Sequence, residues 1–221
     1  MTCEHCCGAD KLFDEKGARK QLKKFKKSGA KGSTLQLINQ TFLADNQGRT
    51  LLDIGGGIGA IQWSFLENNG DSTTDVDASE GYILTAREHG EANGWSEKTN
   101  FIKGDFVDVI DTINEFDYVT LDKVVCCYPD YKSLLTKAAE KSRFRLGMSF
   151  PVGGWVSYLL FRMASLYMYL KKNPFRTYLH SKDEIHELIT GLGFERIHTS
   201  VKFPMRVWVY ERIDRSTSVV S

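Results

Sequence analysis

The sequence lacks the features that would place it in several common protein classes. Its 221 residues carry a formal net charge of only +1, so no overall positive field draws it to nucleic acid. No internal repeat stands out, and the polar N-terminus predicts no secretory signal. The long apolar run at residues 155–170 is too short for a transmembrane span and contains Arg162. We therefore expect a cytoplasmic protein with no membrane span and no nucleic-acid partner.

Cysteine is also scarce and lies in two groups. Cys3, Cys6 and Cys7 stand near the N-terminus, whereas Cys126 and Cys127 are adjacent in mid-chain. Thiolates suit zinc and other soft metals, but no second ligand pair follows the first group at finger-like spacing. We expect reduced thiols and no metal site, and the sequence leaves the role of these cysteines open.

The most informative stretch that is present lies at residues 51–66. A short apolar run leads to Asp53, then Gly55, Gly57 and Gly59 precede a helix-like segment. Glycines permit positive φ and a close approach of the backbone to a ligand, and a helix N-terminus presents free N–H groups. The order of strand, glycine loop and helix predicts a site for an adenosine-containing cofactor.

The glycine spacing fits both a dinucleotide pattern and G-x-G-x-G, and three acids distinguish the two. A carboxylate at Asp53 would repel a pyrophosphate but attract an ammonium group. Asp77 ends the next strand-like run, where it could accept hydrogen bonds from both ribose hydroxyls. Asp105-Phe106 follows a third strand-like run and could form hydrogen bonds with the edge of an adenine ring.

In these three motifs, with their order and spacing, the chain resembles the class I S-adenosylmethionine-dependent methyltransferases over roughly residues 35–212. The resemblance implies S-adenosylmethionine as cofactor and S-adenosylhomocysteine as product. The cofactor-binding residues that it implies are Asp53, Gly55, Gly57, Gly59, Asp77, Ala78, Asp105, Phe106 and Asp122.

Within that set, the resemblance implies that Asp53 holds the methionine amino group and that Asp77 takes the ribose hydroxyls. Asp105 would accept from the adenine amine, with the Phe106 amide facing a ring nitrogen. Structural alternatives stay open: Asp77 could serve as a turn or helix cap, and Asp105 as a helix N-cap.

Strands and helices alternate along most of the chain, which predicts an α/β fold with a doubly wound, mostly parallel sheet. We expect the seven-stranded Rossmann-like methyltransferase sheet, with a C-terminal antiparallel strand. The last two strand-like runs, residues 194–201 and 206–211, form the hairpin that ends such a sheet. This hairpin weakens the alternative of an NAD-binding oxidoreductase.

Two segments lie outside that alternation. Residues 1–34 hold nine Lys/Arg against four Asp/Glu and include a predicted helix over 11–27. We expect this extension to close over the cofactor as a lid, or else to dock an anionic surface or substrate. Residues 35–221 would then form the methyltransferase domain. Its apolar helical segment, about 152–180, is interpreted as core or dimer packing, as a cap over an apolar substrate, or as a membrane-surface contact.

Methyl transfer requires mainly that the protein position the acceptor against the methyl group and exclude water. A general base is needed only when the acceptor binds in its protonated form. His180 and Tyr128 are the catalytic candidates, although a lone His before a helix is commonly a cap or surface residue. We expect a small or medium, largely apolar acceptor that is methylated on oxygen or sulfur, and a homodimer through the apolar segment. The layout also resembles magnesium-protoporphyrin O-methyltransferases, so a tetrapyrrole carboxylate is an alternative. A further alternative for the whole chain is a protein that binds the cofactor without transferring a methyl group.

Overall fold

The structure is a computed structural model that describes residues 4–44 and 47–213. Cys3 and the side chain of Cys6 lie outside the described part. The seven strands are β1 (Thr50–Ile54), β2 (Ser72–Asp77), β3 (Thr99–Lys103), β4 (Phe116–Asp122), β5 (Ser142–Pro151), β6 (Phe194–Lys202) and β7 (Met205–Arg212). The α-helices are α1 (Glu4–Leu12), α2 (Glu15–Ser28), α3 (Gly32–Ile38), α4 (Ala60–Glu67), α5 (Glu80–Ala92), α6 (Phe106–Val109), α7 (Tyr131–Glu140), α8 (Trp155–Leu170) and α9 (Lys182–Gly191). Short 3₁₀ turns lie at Ser96–Lys98, Ile110–Thr112 and Val125–Cys127, and a π-helical turn, Asn39–Leu43, extends α3.

All seven strands join one sheet in the order β3-β2-β1-β4-β5-β7-β6. Strands β1 to β5 pair in parallel, whereas β7 runs antiparallel to both β5 and β6. The predicted doubly wound sheet with an antiparallel C-terminal strand is therefore confirmed. Because the chain order reverses at β1, the carboxyl ends of β1 and β4 border the crevice in which such sheets bind ligands.

The sheet is covered on both faces. Leu51 and Leu52, adjacent on β1, belong to different hydrophobic clusters because successive strand residues point to opposite faces. One cluster packs the sheet against α7 and α9, and the other packs it against α3 and α4. Burial on both faces explains why β1 and β4 are buried at successive positions and not at alternate ones.

The N-terminal extension differs from the predicted single helix over residues 11–27. Two helices, α1 and α2, meet at Asp14, whose carboxylate accepts a hydrogen bond of 2.8 Å from the Gly17 amide. An aspartate N-cap satisfies free N–H groups of a new helix, so the chain ends α1 and restarts there. None of the helices in the described ranges is long and apolar enough to cross a bilayer.

Candidate functional site

A cavity of about 680 Å³ opens at the carboxyl ends of β1, β2 and β4. This volume lies within the range of small-molecule sites. The strand ends contribute Asp53, Asp77 and Asp122 to its wall, and α2 contributes Gln21 and Phe25 from the opposite side. The cavity therefore lies between the sheet edge and the N-terminal extension.

The glycine loop forms one wall of this cavity. Gly55 and Gly57 have φ of +66° and +60°, a left-handed conformation that glycine adopts without steric cost. A Cβ atom at Gly55 would lie 2.5 Å from Cγ2 of Val124, so a side chain would clash with the loop after β4. Gly59 lies outside the cavity lining, and a Cβ there would meet the Trp63 ring at 2.5 Å. The structure thus gives Gly59 a packing role, and its contact with the cofactor stays a prediction.

Asp53 is buried at the end of β1 with one carboxylate oxygen unpaired. Its Oδ1 accepts a hydrogen bond of 2.7 Å from the Thr120 hydroxyl. Its Oδ2 has no hydrogen-bond partner within the described part of the chain. Burial raises the pKa of Asp53 to about 7, and the negative charges of Asp122 and Asp77 add to that effect. An unpaired buried carboxylate oxygen is a site that a cationic group would satisfy.

Asp75 is a second buried acid, which our sequence reasoning missed. It pairs with Asp53 across β1 and β2, and its Oδ1 accepts a hydrogen bond of 3.0 Å from the Gly56 amide. Burial, followed by the charges of Asp77 and Asp53, raises the pKa of Asp75 well above its ordinary value. The only feature of the sequence that could have indicated this buried acid is its position inside a predicted strand.

Asp77 fixes the glycine loop in place. Its Oδ2 accepts a hydrogen bond of 3.0 Å from the Gly57 amide, and its Oδ1 accepts one of 2.8 Å from the Ser79 amide. Burial raises the pKa of Asp77, although these backbone donors oppose the shift. The sequence left a structural role in a turn open for Asp77, and the structure contains that turn. Each carboxylate oxygen keeps acceptor capacity for a ligand hydroxyl, and Ala78 lies beside it in the cavity lining.

Asp105 likewise combines a structural role with a place in the cavity. Its Oδ1 caps α6 by accepting a hydrogen bond of 2.9 Å from the Val107 amide. The same oxygen accepts a hydrogen bond of 2.6 Å from the Tyr128 hydroxyl. Asp105, Phe106 and Tyr128 all line the cavity, so this bond joins the end of β3 to the loop after β4.

Asp122 ties the extension to the sheet. Its Oδ2 accepts hydrogen bonds of 2.6 Å from the Thr34 hydroxyl and 2.7 Å from Lys123 Nζ. Its Oδ1 accepts a hydrogen bond of 2.5 Å from the Ser149 hydroxyl. Thr34 lies on α3, so this carboxylate holds that helix against the ends of β4 and β5.

Comparison with known proteins now bears on this arrangement. The sequence profile of a methyltransferase domain family matches residues 52–141, from β1 through α7. The ubiquinone/menaquinone biosynthesis C-methyltransferase of Roseobacter denitrificans is 31% identical over 81 residues, which are 36% of this chain and 32% of that protein. The match thus spans about a third of that relative's length.

Solved structures extend the comparison to most of the fold. Magnesium protoporphyrin IX methyltransferase from Synechocystis PCC 6803, crystallised with S-adenosylhomocysteine, superposes with a TM-score of 0.66 over 81% of both chains at 19% identity. An O-methyltransferase family protein from Burkholderia thailandensis superposes with a TM-score of 0.67 at 16% identity, over 81% of this chain and 55% of the other. Residues 52–141 thus match a methyltransferase domain, and the sheet as a whole has the fold of these methyltransferases.

The methyltransferase domain implies S-adenosylmethionine as cofactor, and the residues present fit that group. The cofactor carries an ammonium group and a sulfonium, and the unpaired Oδ2 of Asp53 is a buried acceptor for a cation. Gly55, Gly56 and Gly57 line the same cavity with backbone atoms alone. Asp77 and Asp105 present carboxylates farther along the same cavity.

His180 lies apart from the methyltransferase cavity. Its Nε2 donates a hydrogen bond of 3.0 Å to the Tyr128 carbonyl oxygen, and its ring stacks on Tyr131 at 4.2 Å between centroids. Burial lowers the pKa of His180. The described cavity lining includes Tyr128 but not His180, so His180 is positioned to support the loop that carries Tyr128. A role as general base stays a prediction for both.

An aromatic cover, defined here as Phe13, Phe25, Tyr82 and Phe175, closes the cavity opposite the strand ends. Phe13 makes edge-to-face contacts with Tyr82 at 5.9 Å and with Phe175 at 5.6 Å between ring centroids. The Gln21 amide donates a hydrogen bond of 2.5 Å to the Tyr82 hydroxyl. Sequence reasoning missed Phe175, because no local pattern links it to a residue near the other end of the chain.

Helix α8 does not form part of the described cavity lining. The side chains of Val156, Ser157, Leu160, Phe161, Ala164 and Tyr167 lie outside the described part. Five described apolar side chains form one exposed stripe along the helix: Trp155, Leu159, Met163, Leu166 and Leu170 are all more than half accessible. Core packing is therefore wrong for these five side chains, whereas dimer packing, a cap over the substrate and a membrane-surface contact stay predictions. The chain after α8 reaches the cavity instead, through Phe175.

Proposed function

We propose that this protein is a cytoplasmic enzyme that transfers a methyl group from S-adenosylmethionine to a small or medium, largely apolar molecule. An oxygen or sulfur atom is the preferred acceptor. One observation carries the proposal: a single cavity joins the carboxylates of Asp53, Asp77 and Asp105 to the aromatic cover. A site with polar groups at one end and apolar walls at the other suits a charged cofactor beside an apolar substrate.

The reaction makes modest demands on the protein. When bound, S-adenosylmethionine supplies an electrophilic methyl group on a sulfonium. Asp53 and Asp77 would hold the cationic and hydroxyl groups of the cofactor, which fixes the direction of attack. Phe13 and Phe175 would exclude water from the reacting atoms, because their rings close the side of the cavity opposite the sheet.

Tyr128 is the better supported of the two catalytic candidates. Its hydroxyl lies in the cavity and donates to Asp105, so it can contact an acceptor or relay a proton toward that carboxylate. His180 would act through Tyr128, whose carbonyl oxygen it binds. A phenol or thiol acceptor would need a general base only when it binds in its protonated form.

A tetrapyrrole carboxylate is the second candidate acceptor. Lys24 and Lys31, from α2 and the turn that follows it, line the cavity and could pair with carboxylates. A carboxylate acceptor is already ionised at neutral pH and would need no base. The solved magnesium protoporphyrin IX methyltransferase shares this fold, which adds support for the class of acceptor.

The proposal is tested by incubating the purified chain with S-adenosylmethionine and a panel of phenols, thiols, quinols and porphyrin carboxylates. Formation of S-adenosylhomocysteine, together with a gain of one methyl group in an acceptor, is the expected result. Asp77→Asn is the control, since it should lose both signals. If the chain binds S-adenosylhomocysteine but no acceptor gives product above the Asp77→Asn background, a non-catalytic cofactor-binding protein replaces the proposed enzyme.

A further inference from the structure

Two adjacent thiols lie at the edge of the cavity and are not among the residues assigned above to the cofactor. Cys126 and Cys127 lie in the 3₁₀ turn after β4, with their sulfur atoms 3.6 Å apart. Cys126 is buried, and Cys127 is half-buried and lines the cavity. The pair therefore combines a protected sulfur with one that a solute in the cavity can reach.

The backbone holds both sulfurs in this arrangement. Lys123 has φ of +66°, an uncommon conformation for a residue with a side chain. Its amide donates to Ser149, and its carbonyl oxygen accepts from both thiols, at 3.3 Å from Cys126 Sγ and 3.4 Å from Cys127 Sγ. The two sulfurs are thus directed to one side of the turn before any ligand arrives.

The spacing of the sulfurs matches that of two thiolates on one metal ion. Two sulfurs at about 2.3 Å from a tetrahedral ion stand about 3.8 Å apart, close to the separation observed here. A disulfide fits less well: neighbouring Cα atoms are about 3.8 Å apart, below the roughly 4.4–6.8 Å that disulfides usually span. The geometry favours a bridging ion over a bond between the sulfurs.

We propose that Cys126 and Cys127 form a two-thiolate site for a soft metal or metalloid ion at the edge of the methyltransferase cavity. Each thiol gives up its proton as its sulfur binds the ion, and thiolates select soft ions. No group of three or more His, Cys, Asp or Glu side chains that could hold a metal occurs in the described residues. The ion would therefore keep positions for a ligand from solvent or substrate. This site does not depend on the proposed methyl transfer.

The test uses Cd²⁺ as the probe on a full-length chain in which Cys3, Cys6 and Cys7 are changed to Ser. That background leaves only the pair, and a count of two free thiols before titration establishes that it is reduced. We expect one Cd²⁺ per chain, with a thiolate-to-metal absorption band and two sulfur neighbours by X-ray absorption. Adding Cys127→Ser should abolish the band.

Two results would overturn the proposal. One is a background chain with two free thiols that binds no Cd²⁺; the other is an undiminished band after Cys127→Ser alone. Thermal unfolding checks that each serine variant is folded. Cys127→Ala provides a second variant if Cys127→Ser does not fold.

Discussion

Asp53 and Asp75 face each other across neighbouring parallel strands, with both carboxyl groups beneath Gly56. A Cβ atom at Gly56 would lie 2.7 Å from Asp75 Oδ1 and 2.9 Å from Asp53 Oδ2. Burial raises the pKa of both acids, and neighbouring carboxylates add to the effect: Asp122 and Asp77 for Asp53, and Asp77 and Asp53 for Asp75. The net charge of this pair therefore depends on pH, and the pair lies directly beneath the predicted site for the methionine part of the cofactor.

The first prediction concerns pH and Asp53. Its pKa rises from 3.8 to about 7 on folding, so the folded state holds the proton more tightly and loses stability as pH rises through that window. At about 1.36 kcal/mol per pH unit, the cost above pH 7 is about 4 kcal/mol. Relative to the wild type, Asp53→Asn should therefore gain about 3 kcal/mol of stability between pH 5 and pH 8, measured by urea unfolding. Equal differences at both pH values would contradict this account.

The second prediction concerns Asp77. Asp77→Ala should weaken S-adenosylhomocysteine binding by roughly 1–3 kcal/mol, because it leaves hydrogen-bonding groups of the ligand unpaired. Asp71→Ala is the matched control, since Asp71 is exposed and precedes the same strand. Calorimetric titration of both variants measures the effect. An unchanged dissociation constant for Asp77→Ala would remove this residue from the site.

The third prediction concerns the N-terminal extension as a lid. Deleting residues 1–27 removes Phe13, Gln21, Lys24 and Phe25 from the cavity wall. Cofactor affinity or turnover should therefore fall more than the free energy of unfolding of the remaining chain. Phe13→Ala should reproduce part of the loss, whereas Lys20→Ala, at an exposed position of α2, should not. Full activity in the truncated chain would argue against a lid.

The fourth prediction concerns the exposed stripe of α8. An exposed apolar surface of this kind commonly marks an interaction site, and we predict that a second copy of the chain covers it. Sedimentation should then show a dimer that Leu166→Glu dissociates. Ile197→Glu, which changes an exposed side chain on β6, should leave the dimer intact. A wild-type monomer at all concentrations would exclude this contact.

Much of the fold follows from local patterns. Alternating strands and helices predicted the parallel sheet, and the order of β1, glycine loop and α4 predicted where its ligand site opens. The acids that end β1 and β2 were assigned to the site from their place in the motifs and from the resemblance that those motifs carry. Asp53 and Asp77 duly line one cavity.

Other features depend on contacts that local patterns do not encode. The burial of Asp75 follows from its register with Asp53, and the contact of Thr34 with Asp122 joins residues far apart in sequence. Phe175 reaches Phe13 only because the chain folds back over α1 after α8. The exposure of the described apolar side chains on α8 had no signal in the composition of the helix, which is apolar enough for a core helix.

The most direct test of the cofactor assignment is calorimetric titration of the full chain with S-adenosylhomocysteine, with NAD and NADH in parallel. The arrangement of Asp53, Asp77 and the glycine loop predicts micromolar binding of S-adenosylhomocysteine and none of either dinucleotide. Failure to bind S-adenosylhomocysteine, or clear binding of NADH, would contradict the assignment of this cavity to a methyl donor.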